Sequence, residues 1–176
     1  MGYKSLVPAD ATVKSPGYVK AWVNILSDFT TLQEPAPGQT PAVGDIYRIA
    51  TDHVWANGKG AIACMGDPEM LEASGETVGE KGSLNMKFMP KIFIPGDGPA
   101  IQEVINSLRN EGLVVFMQNS CEPNSKVLQY GGGCVPCKVT KVSFGSGTFV
   151  SGRVGWTLEI ESYDRYFYEG DLTVRA

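Results

Sequence analysis

Residues 84–111, LNMKFMPKIFIPGDGPAIQEVINSLRNE, change from a period of two to a period of about 3.6 within one short span, and that change decides the fold class. Leu84, Met86 and Phe88 alternate with Asn85 and Lys87, the pattern of a strand with one apolar and one wet face. Pro90 has no N–H to give a ladder, so the strand is expected to bend there, or to lie at an edge, before resuming over Lys91–Ile94. Ile101, Val104, Ile105 and Leu108 then fall at i, i+3, i+4 and i+7, which puts four apolar side chains on one face of a helix over about residues 98–111. Asp97 or Gly98 serves as its N-cap, Pro99 fits the first turn, and Gly112 stands where a C′ glycine ends a helix.

Outward from this stretch the signals are those of strands. Leu113–Gln118 (LVVFMQ) reads as a buried strand and Asn119–Ser125 as a loop. Lys126–Tyr130, Lys138–Phe144 and Thr148–Tyr163 supply three more strands, separated by Gly131–Gly133 and Gly145–Gly147. In the last of them Val154, Trp156, Leu158 and Ile160 point one way, and Arg153, Gly155, Thr157, Glu159 and Glu161 the other. Tyr163, Tyr166, Phe167 and Tyr168 form an aromatic group that closes a core or anchors an interface. On the N-terminal side, Asp45–Trp55 reads as a strand ended by the Asn57-Gly58 turn, with a second at Ala61–Met65 and another at Ala21–Phe29. Gln33–Gly44 is a proline-rich loop. The expectation is a mainly β chain, a sandwich or barrel of antiparallel strands with one flanking helix. Residues 1–20 read as an N-terminal arm and residues 21–176 as a single domain.

With 176 residues, 43% of them hydrophobic, the chain can bury a sizeable core. It shows no apolar run of about 18 residues and no signal-peptide pattern, so neither membrane nor export is expected, and the default compartment is cytoplasmic. A formal charge of −4, without clustered Lys or Arg, argues against a phosphate-clamping surface. The imbalance is local. Gly66–Gly82 carries Asp67, Glu69, Glu72, Glu76 and Glu80 against Lys81, and so holds the whole net charge. Such a stretch reads as a solvated loop, or as an assembly arm meeting basic groups on a neighbouring subunit.

Catalytic groups are hard to assemble. His53 is the only histidine and lies inside a strand, where a structural role is expected. Cys134-Val135-Pro136-Cys137 has redox spacing, but a glycine turn precedes it and a strand follows, whereas low-pKa thiols of this type sit at a helix N-terminus. Zinc through Cys121, Cys134 and Cys137 with Cys64 or His53 would lack the second close pair of a structural site. A Cys121–Cys134 disulfide is sterically allowed, though a cytosolic chain keeps such thiols reduced. Gly58-Lys59-Gly60 and Gly131–Gly133 are turns, since no helix follows either one. The chain therefore reads as a non-enzyme without cofactor or metal.

Met70–Gly79 (MLEASGETVG), Leu84–Ile94, the helix, Leu113–Gln118 and Gly152–Tyr163 (GRVGWTLEIESY) together resemble, in order and texture, the tail tube proteins of long-tailed bacteriophages and the related tubes of contractile injection systems. The resemblance spans roughly residues 45–164 and rests on no short diagnostic motif. It implies a structural virion protein whose copies form hexameric rings that stack into a tube, with other tail proteins as partners and DNA passing through without specific binding. On that resemblance Asp67, Glu69, Glu72, Glu76 and Glu80 become an inter-ring contact loop, and Asn85, Lys87, Thr157, Glu159 and Glu161 become lumen-facing. The CVPC element and the proline-rich segment are foreign to that pattern. Two other readings stand beside it: a neck or tail-terminator ring of the same fold, and a monomeric β-sandwich that binds a ligand through its aromatic residues.

Overall fold

A computed structural model describes residues 18, 20–36, 38, 42, 44–64, 71–118, 127–145 and 154–172. Most of the expected arm, Asp67, Glu69, the Asn119–Ser125 loop with Cys121, and the first part of the Thr148–Tyr163 strand lie outside the described residues; at the arm's end Tyr18 Oη lies 2.9 Å from Tyr130 Oη and Lys20 already belongs to the first strand.

The elements run β1 (Lys20–Ile25), β2 (Phe29–Thr31), β3 (Arg48–Ile49), β4 (Val54–Trp55), β5 (Ala63–Cys64), β6 (Glu72–Val78), β7 (Asn85–Pro95), α1 (Pro99–Leu108), β8 (Leu113–Gln118), β9 (Val127–Tyr130), β10 (Lys138–Gly145), β11 (Gly155–Glu161) and β12 (Arg165–Tyr168). They make a six-stranded sheet in the order β3-β12-β9-β8-β1-β5, a four-stranded sheet in the order β10-β11-β7-β6, and a two-stranded pair β2-β4. The protein is mainly β, as a β-sandwich with one flanking helix is. Among the described residues every strand pairing is antiparallel except β12 with β3, which is parallel.

The main core lies between the two larger sheets. Val23, Val115, Met117 and Leu128 of the six-stranded sheet share it with Ile92, Leu158 and Ile160 of the four-stranded sheet and with Ile105 and Leu108 of α1. A second cluster covers the opposite face of the six-stranded sheet, with Trp22, Val114, Phe116 and Tyr168 packed against Phe29 and Trp55. Both faces of β8 are therefore buried, which is why residues 113–117 form an unbroken apolar run with no polar alternation.

Several expectations need correction. Asp45–Trp55 is not one strand: a short 3-10 turn at Asp45–Tyr47 leads into β3, and residues 50–53 separate it from β4. Leu26–Asp28 likewise turns the chain between β1 and β2. The helix stops at Leu108, and Gly112 is not its left-handed end; a Cβ there would lie 3.0 Å from Pro136 Cγ, so close packing explains this glycine. The stretch read as an acidic loop forms β6 over Glu72–Val78, and its turn spans Gly79–Leu84, with Gly79 and Gly82 at positive φ. Leu84 and Met86 do not enter a core with Phe88; they are 63% and 40% exposed, because the β6–β7 hairpin runs past the end of β11.

Pro90 neither bends β7 nor places it at an edge. β7 is central, and its ladder with β6 runs unbroken from Asn85 to Lys91. The ladder with β11 lapses at Pro90 and is taken up again by Phe88 and Ser162, which exchange both backbone hydrogen bonds at 2.7 and 2.9 Å. The missing N–H thus costs one rung on one side only.

Candidate functional site

Odd-numbered residues of β7 and β11 share the face of the four-stranded sheet that points away from the main core, because cross-strand partners point the same way. Asn85, Lys87, Thr157, Glu159 and Glu161 therefore stand together on one surface, though the sequence placed them on two separate strands. Glu72 and Glu76 join them: Glu72 is the cross-strand partner of Lys91, and Glu76 that of Lys87. Glu80 sits instead in the hairpin turn, where its carbonyl accepts the Ser83 N–H at 2.9 Å.

One transverse row crosses all four strands in register. Lys141 of β10 faces Glu159 of β11, Glu159 faces Lys91 of β7, and Lys91 faces Glu72 of β6. Lys141 Nζ lies 3.3 Å from Glu159 Oε1. A second basic residue of β10, Lys138, faces Glu161, which in turn holds Lys87 Nζ at 3.0 Å. The Glu161 carboxylate raises the Lys87 ammonium pKa, chiefly by that hydrogen bond and then by charge. Each strand presents one sign on this face: Lys138 and Lys141, then Glu159 and Glu161, then Lys87 and Lys91, then Glu72 and Glu76. The charges balance, and a shallow open groove over them is lined by Ser74, Met89 and Thr140 as well.

Lys91, Lys138 and Lys141 were not singled out from the sequence. Lys138 and Lys141 are three residues apart, a spacing that puts residues on opposite faces of a regular strand; the β-bulge between Val139 and Lys141 brings them onto one face. Bulges leave no period-two trace to read.

Groups considered for chemistry are placed elsewhere. His53 is buried, stacked at 4.4 Å on the Tyr168 ring, with Gln129 Oε1 2.8 Å from Nε2. Its Nδ1 accepts the Gln33 backbone N–H at 3.0 Å, so Nε2 carries the proton in the neutral ring. Burial lowers its pKa, and the Gln129 hydrogen bond and Asp52 pull only partly against that. This is a structural histidine. Cys64 and Cys137 are buried thiols pushed up to about 12 by desolvation, whereas Cys134 is exposed. Cys137 is fixed by two backbone hydrogen bonds with Leu113, at 2.8 and 2.9 Å, while Gly131 takes φ +84 beside it, where any Cβ would strike the Cys137 N. CVPC is thus a chain turn closed onto β8. Among the described residues no group of three or more His, Cys, Asp or Glu is placed to hold a metal ion. Among the same residues no helix is long and apolar enough to cross a membrane.

Comparison with protein-family models, with curated proteins and with solved structures returns no match to this chain.

Proposed function

We propose that this chain is a structural subunit of a self-assembling tube of the phage-tail kind, in which the four-stranded sheet lines a channel that DNA traverses. The observation that carries this reading is the outward face of that sheet, whose charged side chains balance, and which is bounded by two strands whose outer edges pair with no other described strand. A wall of this kind suits passage. Two of its four lysines are ion-paired, Lys87 with Glu161 at 3.0 Å and Lys141 with Glu159 at 3.3 Å, and each such pair leaves less positive charge to neutralise phosphates and hold them in a salt-dependent complex. Repetition around a ring also gives the open strand edges partners and removes the aggregation hazard they pose to a lone subunit. The exposed Leu84 and Met86 at the β6–β7 hairpin, together with Glu80 in its turn, are suited to contacts between stacked rings.

Negative-stain electron microscopy of the purified protein over a concentration series, with light scattering for mass, tests the proposal. Hollow tubes or stacked rings are the expected result. Single rings that never stack would point to a neck or terminator ring of the same fold. A monomer at every concentration would overturn self-assembly and leave a ligand-binding β-sandwich as the better reading.

A further inference from the structure

Asn57 and Gly58 form the tip of the turn that follows β4, and they belong neither to the charged face nor to the buried His53 network. Ala56 and Lys59 close that turn through one hydrogen bond, in which the Lys59 N–H donates to the Ala56 carbonyl at 2.9 Å. Gly58 takes φ +71, the left-handed third position that a β-turn of this kind reserves for glycine. The closing bond uses the first carbonyl and the last N–H of the turn, so the Gly58 N–H is left out of it. Neither that N–H nor the Asn57 side chain has a hydrogen-bond partner among the described residues. Both residues are exposed, and a Cβ placed on Gly58 would meet no atom within 4 Å.

We propose that Asn57 is a site of spontaneous covalent modification, at which the chain converts its own amide to an acid without an enzyme. The Gly58 nitrogen, as its amide anion, attacks Asn57 Cγ. A C–N bond forms, the bond from Cγ to the side-chain nitrogen breaks, and ammonia leaves with the proton that Gly58 gave up. A five-membered succinimide results. Water then opens the ring at either of its two carbonyls: breaking the new C–N bond gives an aspartyl residue, and breaking the original backbone bond gives an isoaspartyl residue. No oxidant enters, and solvent supplies the only co-reactant. The chemistry is the same whether the chain is a subunit of a tube or a monomer.

Ring closure needs an unengaged nitrogen and a backbone free to bring it onto the side chain, and glycine resists that movement least. Asn57 is the one asparagine of the sequence followed by glycine. The other described asparagines lack these conditions. Asn24 is buried, and its side chain is held by the Gly60 carbonyl at 2.9 Å and by the Ile62 N–H at 3.4 Å. Asn85 precedes Met86, whose N–H is engaged by Asn85 Oδ1 at 2.8 Å. Asn106 lies within α1, where the next N–H belongs to the helix ladder. Asn110 precedes Glu111, whose N–H donates to the Leu108 carbonyl at 3.3 Å.

The products bear on a contact that holds the fold. Lys59 Nζ lies 3.0 Å from Asp28 Oδ1, the Asp28 side chain is 7% exposed, and the Asp28 carbonyl accepts the Ala56 N–H at 2.9 Å. A carboxylate formed two residues from Lys59 competes with Asp28 for that ammonium. An isoaspartyl link adds a methylene to the main chain inside a turn that one hydrogen bond closes. Both changes loosen the end of the β2–β4 pair, which carries Phe29 and Trp55 over the second cluster.

Ageing the purified chain tests the site. One sample is kept folded in mildly alkaline buffer made with heavy-oxygen water, a second is kept unfolded in urea, and peptides from both are followed by mass spectrometry. In the folded sample the peptide holding residue 57 should gain the mass of an amide-to-acid exchange with one heavy oxygen and split into two chromatographic forms. It should convert roughly tenfold or more faster than any peptide holding another described asparagine, and its folded rate should stay within about tenfold of its unfolded rate. A folded rate suppressed beyond that, or one no faster than at the other asparagines, would show that the turn protects Asn57 and overturn the proposal. Converted chain, separated by ion exchange, should exchange its Ala56 amide with deuterium several-fold faster than unconverted chain, with the Val115 amide unchanged. Asn57→Asp, which brings the charge without the added methylene, should show part of that rise. Equal exchange at Ala56 in all three would refute the loosening of β2–β4.

Discussion

The two larger sheets are built on opposite terms. The six-stranded sheet is covered on both faces, with Leu113–Met117 fully buried, and its outermost strands are two residues long. The four-stranded sheet gives one face to the core and the other to solvent, and it ends in strands of seven and eight residues. Burial is finished within the chain in the first sheet and left unfinished in the second. Among the described residues no strand pairs with the outer edges of that sheet. On the proposed tube reading, stability and assembly fall to different sheets, and that division can be tested sheet by sheet.

The largest effect is expected in the covered sheet. Phe116 is fully buried in the second cluster, with the rings of Phe29, His53 and Tyr168 around it, and Phe116→Ala should cost about 3–5 kcal/mol in denaturant unfolding. A loss below 1 kcal/mol would mean that this face is not the framework described. Next comes a close approach in the wet sheet. A Cβ on Gly155 would sit 2.5 Å from the Ile94 carbonyl oxygen and 2.5 Å from Phe93 Cζ, so Gly155→Ala should cost about 1–3 kcal/mol. An unchanged unfolding midpoint would show that β7 and β11 can separate there freely.

A smaller, pH-dependent effect belongs to His53. Its folded-state pKa is lowered by burial, so the unfolded chain binds the proton more readily. Stability from this group is complete above the unfolded value near 6.5 and is lost as the pH falls below it, by at most about 1.4 kcal/mol per pH unit. Protonation would also set an Nδ1 proton against the Gln33 N–H that now donates to it. Unfolding midpoints between pH 7.5 and 5.5 should fall for the wild type and flatten in His53→Gln; equal slopes would assign the pH dependence to other groups. Asp164, whose pKa burial raises, acts in the opposite sense, weakening the fold as the pH rises through the carboxylate range.

The smallest effect is expected on the charged face itself. Lys141 is 62% exposed and its pair with Glu159 is an ordinary surface ion pair, so Lys141→Ala should change monomer stability by less than about 0.5 kcal/mol. A large loss of monomer stability would dissolve the distinction between the sheets.

Much of the fold was legible in the chain. The strand at Leu113–Gln118 shows as an unbroken apolar run because both of its faces are buried, whereas the amphipathic face of α1 and the alternation along β11 follow from periodicity, because each presents apolar residues to one core at a fixed spacing. The acidic strand β6 was not legible. Glu72, Ser74, Gly75 and Glu76 have weak strand propensity, and what holds them extended is the ladder with β7. Pro90 misled for a related reason: its cost depends on which side of the strand its nitrogen faces, and only the sheet fixes that side.

The candidate site divides along the same line. Residue type and alternation determined by themselves that Lys87, Thr157, Glu159 and Glu161 would face away from a core. Only the tertiary structure decided that they share one surface with Glu72, Lys91, Lys138 and Lys141, in strand columns of alternating sign. The physical reason is that side-chain direction is a local consequence of backbone pleating, whereas the order and register of strands are long-range choices made by packing, and no period along the chain records them.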